Sequence, residues 1–390
     1  MKILFVCHRL PFPPNRGGKI RPFNMISHLA RKHSVVVASL AHTDQELKEG
    51  TPLRDICDEV IAEVLPDSVR WFQAVRAMMT STPSSVAYFW SAHLHERIKG
   101  RILRTGFDVV IAHCAFVAQY VMACQNAFRI LDFGDLDSAK WAEYARRRAL
   151  PLSLGYALES KKLKTYERVL APRFHHCTVT TWGEEDEFRS LGVSTPCSVI
   201  PNGVDIAYFS SRKTRPKTPT IVFLGRMDYF PNIDGVFYFV ESILPLVREK
   251  NPNVQFQIIG SNPSRKVRAL ARLPGITVTG HVPDVRSYVT GAVVSVAPLR
   301  IARGTQNKIL ESMAMGVPVV ASPQAAKGIQ CRAGEHLLVA EGSEAFAKHV
   351  VNLLTDDELQ LRLSTAARTQ IEDKHAWPTS MKILDGLLAV

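Results

Sequence analysis

Residues 298–322 read PLRIARGTQNKILESMAMGVPVVAS, and their pattern decides the fold. The run leading into them, Ala292 to Leu299, is rich in valine and bounded by Gly291 and Pro298, as a buried parallel strand is. Ile309, Leu310, Met313 and Ala314 then recur at helical spacing. Gly316 stands where a helix end takes a left-handed residue, and Pro318 prevents continuation. Val317 to Ala321 starts another strand. Strand, loop, helix, strand is the repeating unit of a doubly wound parallel sheet.

The loop and first turn, Gly304-Thr305-Gln306-Asn307, are where chemistry is expected. A helix N-terminus offers unpaired N–H groups and the positive end of the dipole, which suits an anion. Gly304, Lys308 and Glu311 are spaced i, i+4, i+7 and are expected on one helix face. That sets a phosphate-seeking ammonium and a hydroxyl-seeking carboxylate beside the anion site, and a nucleoside diphosphate asks for both. An ordinary surface ion pair, worth a few tenths of a kcal/mol, has the same spacing; spacing alone leaves both readings open.

Outward from this segment, Thr220 to Leu224 reads as a strand closing at Gly225-Arg226. Arg226 then stands at a carboxyl end, where ligands bind in open α/β sheets and where a guanidinium can clamp a diphosphate bidentately. A helix across Val236 to Lys250 and strands at Val254 to Ile259 and Ile276 to Thr279 continue the alternation. The stretch Ser210 to Pro219 is polar, basic and proline-bearing, as linkers are. The expected organisation is a first domain over 1–208, a linker over 209–219, a second domain over 220–374, and a closing helix over 375–390 that breaks at Trp377-Pro378.

The first half repeats the plan, with strands at Ile3 to Val6, Ser34 to Leu40, Val109 to His113, Arg129 to Phe133 and Cys177 to Thr181. After the first strand, a proline-rich loop ends in Gly17-Gly18 ahead of an amphipathic helix, Ile20 to Arg31. Backbone there can approach a ligand closely, although a tight surface turn looks the same. The loop lacks the G-x-G-x-x-G pattern, so a dinucleotide redox reading loses its main support. His113 ends its strand on the ligand-binding side, a position that serves catalysis or structure alike. Asp135-Leu136-Asp137 spells a D-x-D sequence, but it lies in the wrong half for a donor-metal site. Those two carboxylates are expected to contact acceptor hydroxyls or to steady Lys140.

Composition bounds the rest. At 390 residues and 46% hydrophobic content, the chain suits two globular domains. Seven scattered cysteines without a C-x-x-C pair imply reduced thiols and a cytoplasmic protein. No apolar run approaches the roughly 18 residues of a membrane span. A net charge of +12 favours anionic partners, and nucleic acid is set aside because no basic motif for it is present. Between Val69 and Arg104, aromatics and methionines interleave with arginines. Such a region docks on anionic membrane or packs inward with its arginines solvated. The basic residues Arg146 to Arg148 and Lys161, Lys162 and Lys164 are expected to be solvated.

The segment Lys308-x-x-Glu311-x-Met313-Ala314-x-Gly316-x-Pro318-Val319-Val320, with Phe223 to Met227 and Ile200 to Asp205, resembles the donor-binding half of the family 4 glycosyltransferases. Leu136-Asp137-Ser138-x-Lys140-Trp141-x-x-Tyr144-Ala145 resembles the sugar transferases of exosortase-type bacterial exopolysaccharide systems. The resemblance implies the GT-B fold, two Rossmann-like doubly wound domains facing each other across a cleft that the Gly17-Gly18 loop borders. It implies a retaining, metal-independent glycosyltransferase with no cofactor, moving a sugar from a nucleotide donor to a saccharide or lipid-linked acceptor. Gly225, Arg226, Val282, Thr305, Gln306, Asn307, Lys308 and Glu311 would hold the donor nucleotide, with Val282 near the base and Glu311 on the ribose. Arg226, Lys308 and His113 would be catalytic. Asp135, Asp137 and Lys140 would serve the acceptor. Arg303 stands where many relatives carry a first glutamate, which keeps in view a nucleotide-sugar-binding or scaffold protein without turnover; a second alternative is another GT-B enzyme, an epimerase acting on the donor alone.

Overall fold

The computed structural model describes residues 1–210 and 218–389, so most of the expected linker, 211–217, lies outside the described residues. The chain divides into two units, Met1–Ile200 and Pro201–Val390. In the first, strands β1 (Lys2–Cys7), β2 (Ser34–Ala41), β3 (Glu59–Val64), β4 (Val109–His113), β5 (Phe128–Gly134), β6 (His176–Val179) and β7 (Cys197–Val199) form one parallel sheet in the order β3-β2-β1-β4-β5-β6-β7. In the second, β8 (Thr220–Leu224), β9 (Gln255–Ile259), β10 (Ile276–Gly280), β11 (Val294–Ala297), β12 (Val319–Ala321) and β13 (Leu338–Val339) run β10-β9-β8-β11-β12-β13.

Both sheets are wound outward from the first strand and then reversed, so each has a switch point, at β1/β4 and at β8/β11. Successive crossovers leave these strands on opposite faces, which opens a crevice at their carboxyl ends. The central strands are apolar along their whole length because helices cover both faces: Ile3 to Val6 and Ile221 to Phe223 are fully buried. The edge strands β3, β7 and β13, absent from the sequence reading, are short or only half-buried and carry too weak a pattern to read.

Several boundaries differ from expectation for local reasons. The helix read at Val236–Lys250 starts earlier, at Phe230, with Pro231 in its first turn, and passes through a π-helical turn at Phe239–Ile243. Pro378 lies in the first turn of a separate helix, Trp377–Leu388, so it begins a helix where a kink was expected. Residues 201–208, read as part of the first domain, are held in the second unit. Val204 bridges Ala376, and Arg368 donates to the carbonyls of Ile206 and Phe209.

At the ends of β8 and β9 two glycines let the backbones meet. A Cβ on Gly260 would lie 1.7 Å from the Gly225 carbonyl oxygen, and one on Gly225 2.6 Å from the Asn232 amide nitrogen. Gly260→Ala is therefore expected to lower the melting temperature of the second unit, with a loss of about 3 kcal/mol. Gly386→Ala, at an exposed helical position with nothing within 4 Å, should raise it slightly. Equal melting of the two variants would contradict this packing.

Candidate functional site

In the second unit the site is built at the β8/β11 switch point. Gly225 ends β8, and the space left by its missing side chain is filled by Asn232. Asn232 Nδ2 donates to the Arg226 carbonyl at 2.9 Å, and its Oδ1 accepts from Lys308 Nζ at 2.5 Å. The ammonium also stands 4.4 Å from the Phe223 ring centroid. Lys308 is thus aimed by two elements other than its own helix, which a surface ion pair would not be. Burial pushes Lys308 down to about 7, partly offset by Glu311, and pushes Glu311 up to about 7, partly offset by Lys308.

The helix carrying both runs Asn307–Ala314, and Gly304 lies ahead of it with φ 60°, so Gly304 shapes the loop and does not share the helix face as expected. Gln306 precedes the helix without a side-chain cap, donating instead to the Arg303 carbonyl at 3.0 Å. Thr305 Oγ1 reaches the Gly328 carbonyl at 3.4 Å, and Asn307 Oδ1 is buried without a hydrogen-bond partner. With no side-chain cap at Gln306, the first N–H groups of the helix remain for an acceptor such as phosphate. Val282, after β10, packs against the cluster of Val222, Leu224, Ile259 and Met315. Arg226 is near but committed: its guanidinium pairs with Asp228 at 3.1 and 2.5 Å, and Asn262 supports the same carboxylate at 3.2 Å. Against burial, these bonds hold Asp228 below the usual carboxylate range. A diphosphate would have to exchange places with Asp228.

In the first unit the switch point gathers a second cluster. Asp132 lies within β5 opposite His113 in the register and is fully buried. It accepts from Arg21 Nε and Nη2 at 3.0 and 2.7 Å, from Thr178 Oγ1 at 2.7 Å, and faces His113 Nδ1 at 2.7 Å. Burial alone would raise its pKa. The Arg21 charge and the bonds from His113 and Arg21 outweigh that and keep it far below the carboxylate range. An ionised Asp132 can only accept, so His113 carries its proton on Nδ1.

Beside His113 stands His8, directly after β1, with ring centroids 5.7 Å apart. It is buried, its Nδ1 has no partner, and burial together with Arg9, His113 and Lys140 holds it neutral. Cys114 follows with φ 76°, a left-handed backbone that a non-glycine residue adopts under constraint. Sequence reasoning passed over His8 and Cys114. The rule that picked out His113, a polar residue at a central strand's carboxyl end, applies equally to His8.

Atoms of His8, His113 and Cys114 that bind metals lie within 4.8 Å of one another. Burial, and after it the nearby Asp137, raise the Cys114 thiol well above its ordinary range, so a cation would have to displace the thiol proton to bind there. Gly18 borders His8, where an added Cβ would make ordinary contact at 3.6 Å, whereas Gly17 faces open space. Neither glycine has positive φ, so the pair's backbone does not require glycine.

Asp135 and Asp137 point to different partners: Asp135 accepts from Thr180 Oγ1 at 3.0 Å, and Asp137 stands 3.6 Å from Lys140. The helix Asp137–Arg147 is capped by carboxylates from elsewhere. Leu136 N donates to Glu184 at 2.7 Å and Ser138 N to Glu167 at 3.0 Å. Burial raises Asp137, and it pushes Glu167 up to about 8. A carboxyl raised on folding contributes stability below its unfolded pKa, near 4.3, and loses it as pH climbs through about 8. Glu167→Gln should therefore melt higher than the wild type at pH 8 and match it at pH 4; the reverse order would contradict the burial argument.

Residues 218–356 match the family model Glycosyl transferases group 1. An uncharacterized 44.6 kDa protein in the cps region of Klebsiella pneumoniae is 23% identical over 367 residues, 90% of each chain. A phosphatidyl-myo-inositol mannosyltransferase of Propionibacterium freudenreichii subsp. shermanii is 31% identical over 129 residues, 32% of each chain. Among solved structures, Anabaena HepE in complex with UDP superposes with a TM-score of 0.71 at 13% identity, covering 100% of both chains. Fold and matched segment agree: the chain is a glycosyltransferase with the GT-B fold, and its second unit carries a glycosyl transferases group 1 domain.

Proposed function

We propose that this enzyme transfers a sugar from a nucleoside diphosphate donor to a saccharide acceptor, lipid-linked, in exopolysaccharide or related glycan synthesis. The observation that carries the reading is Lys308, held by Asn232 and Phe223 and lying in the uncapped first turn of helix Asn307–Ala314, with Glu311 three residues on. As the glycosidic bond stretches, negative charge grows on the departing diphosphate. Lys308, the N–H groups of residues 305–308 and Arg226, once it trades Asp228 for phosphate, offset that charge. These cations do the electrostatic work without a metal ion. Glu311, as carboxylate, accepts from the ribose hydroxyls, and Val282 lies toward the base.

His113, oriented by Asp132, and neutral His8 offer hydrogen bonds to sugar hydroxyls, and Asp135, Asp137 and Lys140 serve the acceptor. Retention of configuration follows from the family 4 resemblance, with attack on the face the diphosphate leaves. The cps-region relative supports a polysaccharide setting, and HepE, solved with UDP and with UDP-glucose, supports trying uridine donors first.

A thermal-shift series with UDP, GDP and ADP tests the donor site. Ligand at 100 times its Kd should stabilise the wild type by about 2.7 kcal/mol, and Lys308→Ala should abolish the shift. Because Lys308 ionises near 7 in the empty site and an anion favours its charged form, affinity should fall with rising pH above 7, at most roughly tenfold per unit. Affinity unchanged between pH 7 and 9, or an unaltered shift in Lys308→Ala, would count against this assignment. Absence of any shift would mean that the donor site is lost and would favour a scaffold protein.

A further inference from the structure

The aromatic region 69–104 divides cleanly between inside and outside. Phe89 is buried and stacks on Phe116 at 5.3 Å, and Trp90 stacks on Tyr120 at 5.4 Å. Arg70, expected at the surface, is fully buried and donates to the carbonyls of Leu65 and Ala41. The helix Asp67–Ala77 and the turn after it present the opposite face to solvent: Trp71, Phe72 (67% exposed), Val75, Met78 and Met79 (92% exposed). Large apolar side chains so exposed, and so close in sequence, are unusual on a free surface.

A second exposed apolar run borders the first. Leu150, Leu152, Leu154 and Leu158 open the helix Leu152–Leu170 and point outward. This helix is tied to the other segment, since Lys162 Nζ donates to the carbonyls of Ala77 and Met78, both at 3.0 Å, and Glu159 caps Ser84 and Ser85. Exposed cations flank the combined surface at Arg76, Arg146, Lys161 and Lys164. The acidic groups on these elements are engaged elsewhere. Asp67 pairs with His42, Glu143 stands 4.0 Å from Arg147, and Glu159 and Glu167 are buried.

We infer that this surface docks the first unit on an anionic lipid bilayer, with Trp71, Phe72, Met79 and the four leucines entering the headgroup region and the flanking cations meeting lipid phosphates. An apolar face with aromatics seats in the interface, and a basic rim selects anionic lipid. The helix Asp137–Arg147 joins this surface to the acceptor cluster. Asp137 and Lys140 lie in its first turn and Arg146 and Arg147 in its last, about 9–15 Å away at 1.5 Å per residue. A lipid anchored at the basic end thus presents a short glycan to the other end. That last use rests on the sugar-transfer reading; docking itself does not.

Co-sedimentation with phosphatidylcholine vesicles, with and without one-quarter phosphatidylglycerol, tests the inference. Binding should be at least tenfold tighter to the anionic vesicles, and Trp71→Ser/Phe72→Ser should reduce it at least tenfold. Both side chains are exposed, so the variant should fold, and an unchanged UDP thermal shift would verify this. Equal binding to neutral and anionic vesicles, or undiminished binding of the variant, would overturn the inference. A wild-type dimer that the double substitution dissolves would also overturn it, assigning the face to a second copy. Vesicle binding that persists while no nucleotide shifts the wild type would sink the sugar-transfer reading and leave the docking in place.

Discussion

The reversal of winding at β1/β4 and β8/β11 is the constraint from which the rest follows. A right-handed crossover sends its helix to one face; when the chain turns back past its starting strand, the next crossover goes to the other face. The carboxyl ends of the two central strands are then left uncovered. The two clusters at the switch points stand at such ends. His8 follows β1 and His113 ends β4, Gly225 and Arg226 follow β8, and the loop into helix Asn307–Ala314 follows β11. Function can vary in such a fold because the crevices are made by topology and furnished by whichever residues end those strands.

The two crevices are furnished differently. In the first unit a buried, ionised Asp132 binds Arg21, His113 and Thr178, tying β4, β5, β6 and the first helix into one hydrogen-bonded knot. Removing one partner of such a knot leaves an uncompensated buried charge, a loss of about 3–5 kcal/mol, so orientation of His113 and stability of the unit are coupled. In the second unit the corresponding groups are weakly committed. Lys308 has one amide partner, Arg226 is paired with a half-exposed Asp228, and Asn307 Oδ1 has none. Loosely satisfied polar groups at a helix start suit a site that trades internal partners for a ligand.

Much of this was legible in the sequence where the signal is local. The valine-rich central strands, Gly316 with its φ of 67°, and Gly225-Arg226 at a strand end follow from pattern and backbone chemistry alone. What was not legible depends on residues far apart in the chain. Asn232 lies 76 positions from Lys308, and Asp132 lies 111 from Arg21, so no window of sequence joins them. Nor does composition tell Arg70, wholly buried, from Arg76 on the surface one and a half turns later; only the packing of Tyr88 and Phe89 beneath Arg70 does.

The central claim is that a nucleoside diphosphate rests on the start of helix Asn307–Ala314, and backbone hydrogen exchange with and without saturating UDP addresses it most directly. The account predicts slowed exchange in peptides covering 303–310 and 224–228, where N–H groups would meet the diphosphate, with little change in β2 or β3. Bound UDP that protected other segments while leaving 303–310 unchanged would contradict it.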